Sequence, residues 1–321
     1  MREQFQLELW AECRTNRCKF CNLMLDKSLI NGPLGKFSDP NMILKADQKV
    51  EIINRAIDYL PSIDWGKFDK LTIRGGEVFN DYDINYLKSF DLLLWNIIDL
   101  IKQGKIKKCY LVTGLKYRFK NSLLEHSLNY FQDFKKFILV GASWDLYNRF
   151  FNDDEQIWWE NINIIKSMDI SIHITTILTQ YFINAYNAND KKVFQILDTF
   201  DDDQFDFIAA YGKTKLNLDN FFCKRNDFLK FWCGIIKHQK YKNIWERFLN
   251  QSYRRASHIY FAATDELQIR DLKNYTFAFE GESFGHLVCG HPDQYANYED
   301  SNKCMLCDIF NLQKNGEYLC F

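Results

Sequence analysis

The chain has 321 residues, 47% apolar and 26% charged, and its 41 Lys and Arg nearly balance its 42 Asp and Glu, for a formal charge of −1. This composition excludes an intrinsically disordered chain, and without a basic surplus there is no broad positive field to attract duplex nucleic acid. No apolar run approaches the roughly 20 residues needed to cross a bilayer, and Met1-Arg2-Glu3-Gln4 lacks a basic-then-apolar leader, so a cytoplasmic protein with reduced thiols is expected.

In chain order, short β-like runs alternate with longer helical patterns, the rhythm of a parallel sheet built from βα units. Phe5 to Trp10 reads as a first strand, and residues 46–60 as an amphipathic helix with Val50, Ile53, Ile57 and Leu60 on its apolar face. Between them, residues 26–45 contain Asn31-Gly32-Pro33-Leu34-Gly35 and read as a loop. Leu71-Thr72-Ile73 is a second strand with a helix near 84–103, and Cys109 to Val112 a third with a helix near 120–131. Phe137 to Val140 is a fourth strand, followed by a helix over 154–167. Ile170 to Leu178 is a fifth, followed by a helix over 182–199, and Phe205 to Ala210 is a sixth.

Six strands fall short of the eight that close a full barrel. The predicted class is therefore α/β, a partial (β/α)6 TIM-like barrel over residues 1–212, with a small extension over 213–321. The extension holds an aromatic helical stretch from Phe221 to Phe248, a hairpin near 257–271 and a cysteine-containing tail.

Ten cysteines in a reducing compartment need an explanation other than disulfides, and clustered spacing points to metal ligation. Cys13, Cys18 and Cys21 stand in Cys-Arg-Thr-Asn-Arg-Cys-Lys-Phe-Cys directly after the first strand. Three thiolates in one loop can hold three irons of a cubane and leave the fourth iron open to a ligand. A zinc knuckle completed by a distant Cys or His is the competing reading of the spacing alone. Arg74-Gly75-Gly76-Glu77 follows the second strand; paired glycines admit close backbone approach, and a carboxylate can accept hydrogen bonds from an ammonium group. Taken alone, it also reads as a plain turn.

Together, the three-cysteine loop after strand one, Phe20 before its last cysteine and Gly-Gly-Glu after strand two resemble the radical S-adenosylmethionine (SAM) superfamily over residues 5 to about 211. One departure is the four residues between Cys13 and Cys18, where the family's commonest spacing has three. The resemblance implies an enzyme in which Cys13, Cys18 and Cys21 hold a [4Fe–4S] cluster and SAM chelates the open iron. Gly75, Gly76 and Glu77 would contact the SAM amine, and Ser143 and Asp145, after strand four, its ribose or carboxylate. A helix cap or turn is the alternative role for Ser143 and Asp145. A reductant such as flavodoxin or ferredoxin is the implied partner.

The tail carries Cys289, Cys304, Cys307 and Cys320 as Cys-x14-Cys-x2-Cys-x12-Cys, with His291 nearby. Four thiolates suit a closed site, either zinc or a second [4Fe–4S] cluster, and spacing does not separate the two. This tail is similar to the SPASM and twitch extensions that carry auxiliary clusters in radical SAM enzymes. Cys223 and Cys233 are either further ligands or small buried residues. The expected reaction is reductive cleavage of SAM and hydrogen abstraction from a peptide or protein side chain, or another small-molecule substrate. Modification of a nucleoside or nucleic acid is a second enzymatic reading, and a non-catalytic metal-binding protein a third.

Overall fold

The computed structural model describes residues 3–14, 18, 43–80, 82–146, 149–209, 223, 225–237, 240, 244, 257–261, 267–271, 277–279 and 282–284. Strands and helices alternate as β1 (Glu3–Glu8), α1 (Ala46–Tyr59), β2 (Phe68–Arg74), α2 (Ile84–Lys102), β3 (Lys108–Thr113) and α3 (Leu123–Tyr130). They continue as β4 (Ile138–Ser143), α4 (Asp154–Ser167), β5 (Ser171–Leu178), α5 (Gln180–Asn187), α6 (Lys191–Thr199) and β6 (Phe205–Ala209). Then come α7 (Arg225–Lys237), β7 (Ser257–Phe261), β8 (Leu267–Asp271), β9 (Phe277–Phe279) and β10 (Glu282–Phe284).

The strand order is β6-β5-β4-β3-β2-β1-β7-β8, and β9 pairs with β10 in a separate antiparallel ladder. The six helix-flanked strands β1 to β6 form the predicted partial barrel. The sheet does not end at β1, however. β7 pairs with it in parallel, Gln6 opposite Tyr260, so the segment read as a hairpin enters the sheet beside the first strand. An edge strand leaves a row of peptide groups unpaired, and β7 supplies their partners.

The chain divides into two compact units. The first comprises residues 1–143, 148–173 and 257–270, and the second residues 144–147, 174–256 and 271–321. The boundary expected near 212 and 213 lies outside the described residues, as do most of the loop over 26–45 and the cysteines of the tail.

In the first unit the sheet has two unlike faces. Phe5, Leu7, Leu71, Ile73, Cys109, Leu111, Ile138 and Val140 are buried completely. The alternate residues of β3, β4 and β5 are less buried and include Tyr110, Val112, Gly141, Ser143 and His173. Parallel register aligns Gln6 with Thr72 and Tyr110, and Glu8 with Arg74, one layer further toward the C-terminal ends. Arg74 pairs with Glu8 at 3.2 Å and donates to Gln6 at 3.3 Å, so its carboxylate partner belongs to the neighbouring strand.

The helices start where their sequences can cap. Asp83, Ser122, Thr179 and Asp190 accept from backbone N–H groups of the first turns of α2, α3, α5 and α6. α1 differs from expectation in its buried stripe, which is Lys49, Ile52, Ile53 and Ala56, while Val50 and Ile57 are half-buried. The stripe is rotated because Lys49 has buried partners, described below. In the second unit, the helix expected over 182–199 is two helices. Asn189 adopts a left-handed φ of 54° and Asp190 caps a new start. Phe182, Tyr186, Phe207, Phe231 and Trp232 interlock edge to face in that unit's core.

Candidate active site

The site begins in the few residues past β1. Trp10 O accepts from Gly76 N at 2.8 Å, and Glu12 O accepts from Glu77 N at 2.9 Å, so the Gly-Gly-Glu turn is bonded to the peptide leading into Cys13. The contact is backbone on backbone. A Cβ on Gly75 would lie 2.2 Å from Trp10 O, and one on Gly76 1.9 Å from Ala11 O, which no side chain permits. The two glycines are thus required first by this close approach.

Glu12 is buried and collects three donors: Lys49 Nζ, Leu44 N and Arg14 Nε, each at 3.1 Å. Leu44 lies 32 residues along the chain, so one carboxylate ties the base of the cysteine segment to the approach to α1. Lys49 Nζ also lies over the rings of Trp10 and Tyr86, at 5.1 and 5.3 Å from their centroids.

Glu77 turns its carboxylate toward the end of β3. Oε1 accepts from Thr113 Oγ1 at 2.9 Å and Oε2 from Gly114 N at 2.6 Å. Thr113 Oγ1 in turn accepts from Leu115 N at 3.1 Å and pairs with Tyr117 Oη at 2.8 Å. Burial pushes the Glu77 carboxyl up to about 6, against the hydrogen bonds from Gly114, Thr113 and Phe79 and the charge of Lys116, which lower it. Burial, then the charge of Glu77, pushes the Tyr117 hydroxyl well above its ordinary range, so it stays a proton donor into this network.

Cys18 is partly exposed, and two cations face its sulfur. Lys116 Nζ lies 3.4 Å away and Arg149 Nη1 3.8 Å away. Lys116 Nζ also donates to Arg149 O at 3.3 Å. The Lys116 turn is held by Asn161 on α4, whose buried Nδ2 donates to Leu115 O at 3.0 Å and Tyr117 O at 2.6 Å. Leu115 itself has a left-handed φ of 53°. Cys13 and Cys18 carry reduced, partly exposed thiols, and Cys21 lies outside the described residues. Among the described residues, no group of three or more His, Cys, Asp or Glu stands ready for a metal. The donors present do suit an iron–sulfur cluster: reduced thiols on a loop at the C-terminal end of a barrel strand, with two cations to offset thiolate charge.

The other predicted positions have plain locations. Ser143 ends β4 and is partly exposed. In the second unit, Asp145 is buried and accepts from Ile177 N at 2.7 Å and Thr176 Oγ1 at 3.3 Å. Cys223 is buried with its sulfur 3.4 Å from Leu178 O, and burial pushes its thiol well above the usual range. Cys289, Cys304, Cys307 and Cys320 lie outside the described residues. Sequence reasoning missed Glu12, Lys49, Lys116, Arg149 and Asn161. Asn161 did leave a signal, a polar residue on the apolar face of α4 with Trp158, Ile162 and Ile165.

A (β/α)6 partial barrel with a cysteine loop and a Gly-Gly-Glu turn side by side past its first two strands defines the class of fold. Solved structures share the barrel fold. The chain is similar to hexahistidine-tagged anSMEcpe with bound AdoMet, at TM-score 0.52 and 12% identity, covering 94% of this chain and 82% of that one. It is similar to native anSMEcpe with bound AdoMet and Kp18Cys peptide at TM-score 0.51 and 13% identity, with the same coverage. At such identities the likeness is one of fold. No protein-family model and no curated protein matches the sequence. Among the described residues, no helix is long and apolar enough to cross a membrane.

Proposed function

We propose that the chain is a radical SAM enzyme acting on a peptide or protein side chain. The observation that carries this reading is the bonding of the Gly-Gly-Glu turn to the peptide that leads into Cys13, through Trp10 O and Glu12 O. It brings the two halves of the motif together on a fold shared with a protein solved with AdoMet and with peptides.

In this reading Cys13, Cys18 and Cys21 hold a [4Fe–4S] cluster. Once bound, cluster and SAM supply a one-electron cleavage to methionine and a 5′-deoxyadenosyl radical that takes hydrogen from the substrate. Gly75 and Gly76 present backbone to the SAM amine, and Glu77 offers the carboxylate lone pairs that Thr113, Gly114 and Phe79 leave open. Ser143 and Asp145 are assigned to the ribose or carboxylate side, with Asp145 also engaged by Ile177 and Thr176. The tail cysteines Cys289, Cys304, Cys307 and Cys320 are assigned to one further metal site, and a flavodoxin- or ferredoxin-type reductant to the electron supply.

The test is anaerobic reconstitution with iron and sulfide, reduction in the presence of SAM, and chromatography for 5′-deoxyadenosine. Product from the wild type, lost in Cys18→Ala, is expected. A wild-type protein that takes up iron fully ligated by protein and releases no product overturns the reading.

A further inference from the structure

Lys116 is only 5% exposed, and a buried ammonium is retained only where negative groups answer it. Glu77 is one such group, close enough for its carboxyl to feel the lysine's charge. The Lys116 ammonium also meets the sulfur of Cys18, at 3.4 Å, and the carbonyl of Arg149, at 3.3 Å. Arg149 brings a second cation to the same sulfur. The two arrive from different loops, Lys116 three residues past β3 and Arg149 six residues past β4, 98 and 131 residues from Cys18 in sequence.

The convergence is built rather than incidental. Asn161 grips the carbonyls on both sides of Lys116, and Leu115 takes a left-handed backbone to present it. A cation held rigidly against one sulfur favours whichever state of the attached metal centre is more negative. Adding one electron to a thiolate-bound cluster makes it more negative by one charge, and hydrogen bonds to the sulfurs are a main control on the potential at which that happens.

Resting on the radical SAM reading above, we propose that Lys116 and Arg149 are positioning residues for the cluster. They hold the Cys18 sulfur by charge-assisted hydrogen bonds and make the cluster easier to reduce. They act through the ligand and not on the substrate.

The experiment uses the full chain, reconstituted anaerobically, with iron and sulfide content measured first. The midpoint potential of the [4Fe–4S] signal then comes from electron paramagnetic resonance at fixed potentials. Lys116→Met removes the charge while keeping an unbranched chain one atom shorter. Its potential is expected to move to more negative values at unchanged iron content, and Lys116→Arg to restore it. Arg149→Met is expected to move it in the same direction by less, because its contact is longer. A Lys116→Met protein with full iron content and the wild-type potential overturns the proposal and leaves the radical SAM reading standing. A wild type that forms no cluster overturns both. Should Lys116→Met not fold, Arg149→Met decides, and an unmoved potential there overturns the proposal.

Discussion

Lys49 Nζ lies 3.1 Å from Glu12 Oε2, with only 2% and 4% of the two side chains exposed, one residue before the first cysteine of the motif. Removing one partner of such a pair strands a charge in a dry site, at a typical cost of about 3–5 kcal/mol. Arg14 and Leu44 still answer Glu12 in a Lys49→Met protein, so a loss near the lower end, about 3 kcal/mol, is expected in urea unfolding. Glu12→Gln with Lys49→Met should recover part of it, since the buried charge is then gone and Arg14 is half exposed to solvent. Wild-type stability of the single variant would refute the assignment.

Glu77 gives folding a pH dependence of defined sign. Its carboxyl is raised from an ordinary 4.5 to about 6 in the folded chain, so the folded state binds the proton more tightly than the unfolded state does. The contribution is therefore fully present below pH 4.5 and is lost as pH rises through 6. The difference amounts to about 2 kcal/mol. Urea midpoints compared between wild type and Glu77→Gln from about pH 4.5 to about pH 7.5 isolate it. The wild-type curve should fall relative to the variant across this window, and parallel curves would contradict the assignment.

Gly76→Ala places a methyl 1.9 Å from Ala11 O, and the obstacle is backbone that cannot rotate away. Separation of the turn from the peptide ahead of Cys13 is expected, with a stability loss of about 1–3 kcal/mol or more. If the protein remains folded, SAM binding to the reconstituted chain by calorimetry should drop below detection. Retention of wild-type affinity would show that the close approach is dispensable.

Asn161→Ala leaves two buried carbonyls, Leu115 O and Tyr117 O, without their donor. About 2 kcal/mol of destabilisation is expected from the unmet groups. Hydrogen exchange should rise at Leu115, whose N–H bonds to Thr113, before it rises in α2. Equal acceleration in both would point to global loosening instead.

Much of this arrangement was legible because local patterns carry it. The strand at Cys109 to Val112 and the helix over 154–167 were readable from apolar periodicity, and β3 and α4 form there. The cysteine loop and Gly-Gly-Glu stood out as short motifs with matching context. What was not legible depends on pairing between distant residues. The burial of Lys49 follows from a carboxylate 37 positions earlier, and no helical period predicts a lysine on the apolar stripe. Lys116 and Arg149 stand in loops beside apolar and aromatic residues, and no local pattern marks them until folding brings Cys18 to them. The break at Asn189 was within reach, since Asn tolerates a left-handed backbone and Asp190 is a ready cap.

The parallel pairing of Leu7 with Phe261 sets a timetable for biogenesis. Translation delivers β1 well before β7, its partner on one side, which emerges only some 250 residues later. At about 5–20 residues per second, the nascent chain waits tens of seconds with that flank of β1 open. An open strand edge of this kind is a template for pairing with another chain. Ribosome-bound chains ending before residue 257 should accordingly aggregate on release, whereas chains extended through β8 should not.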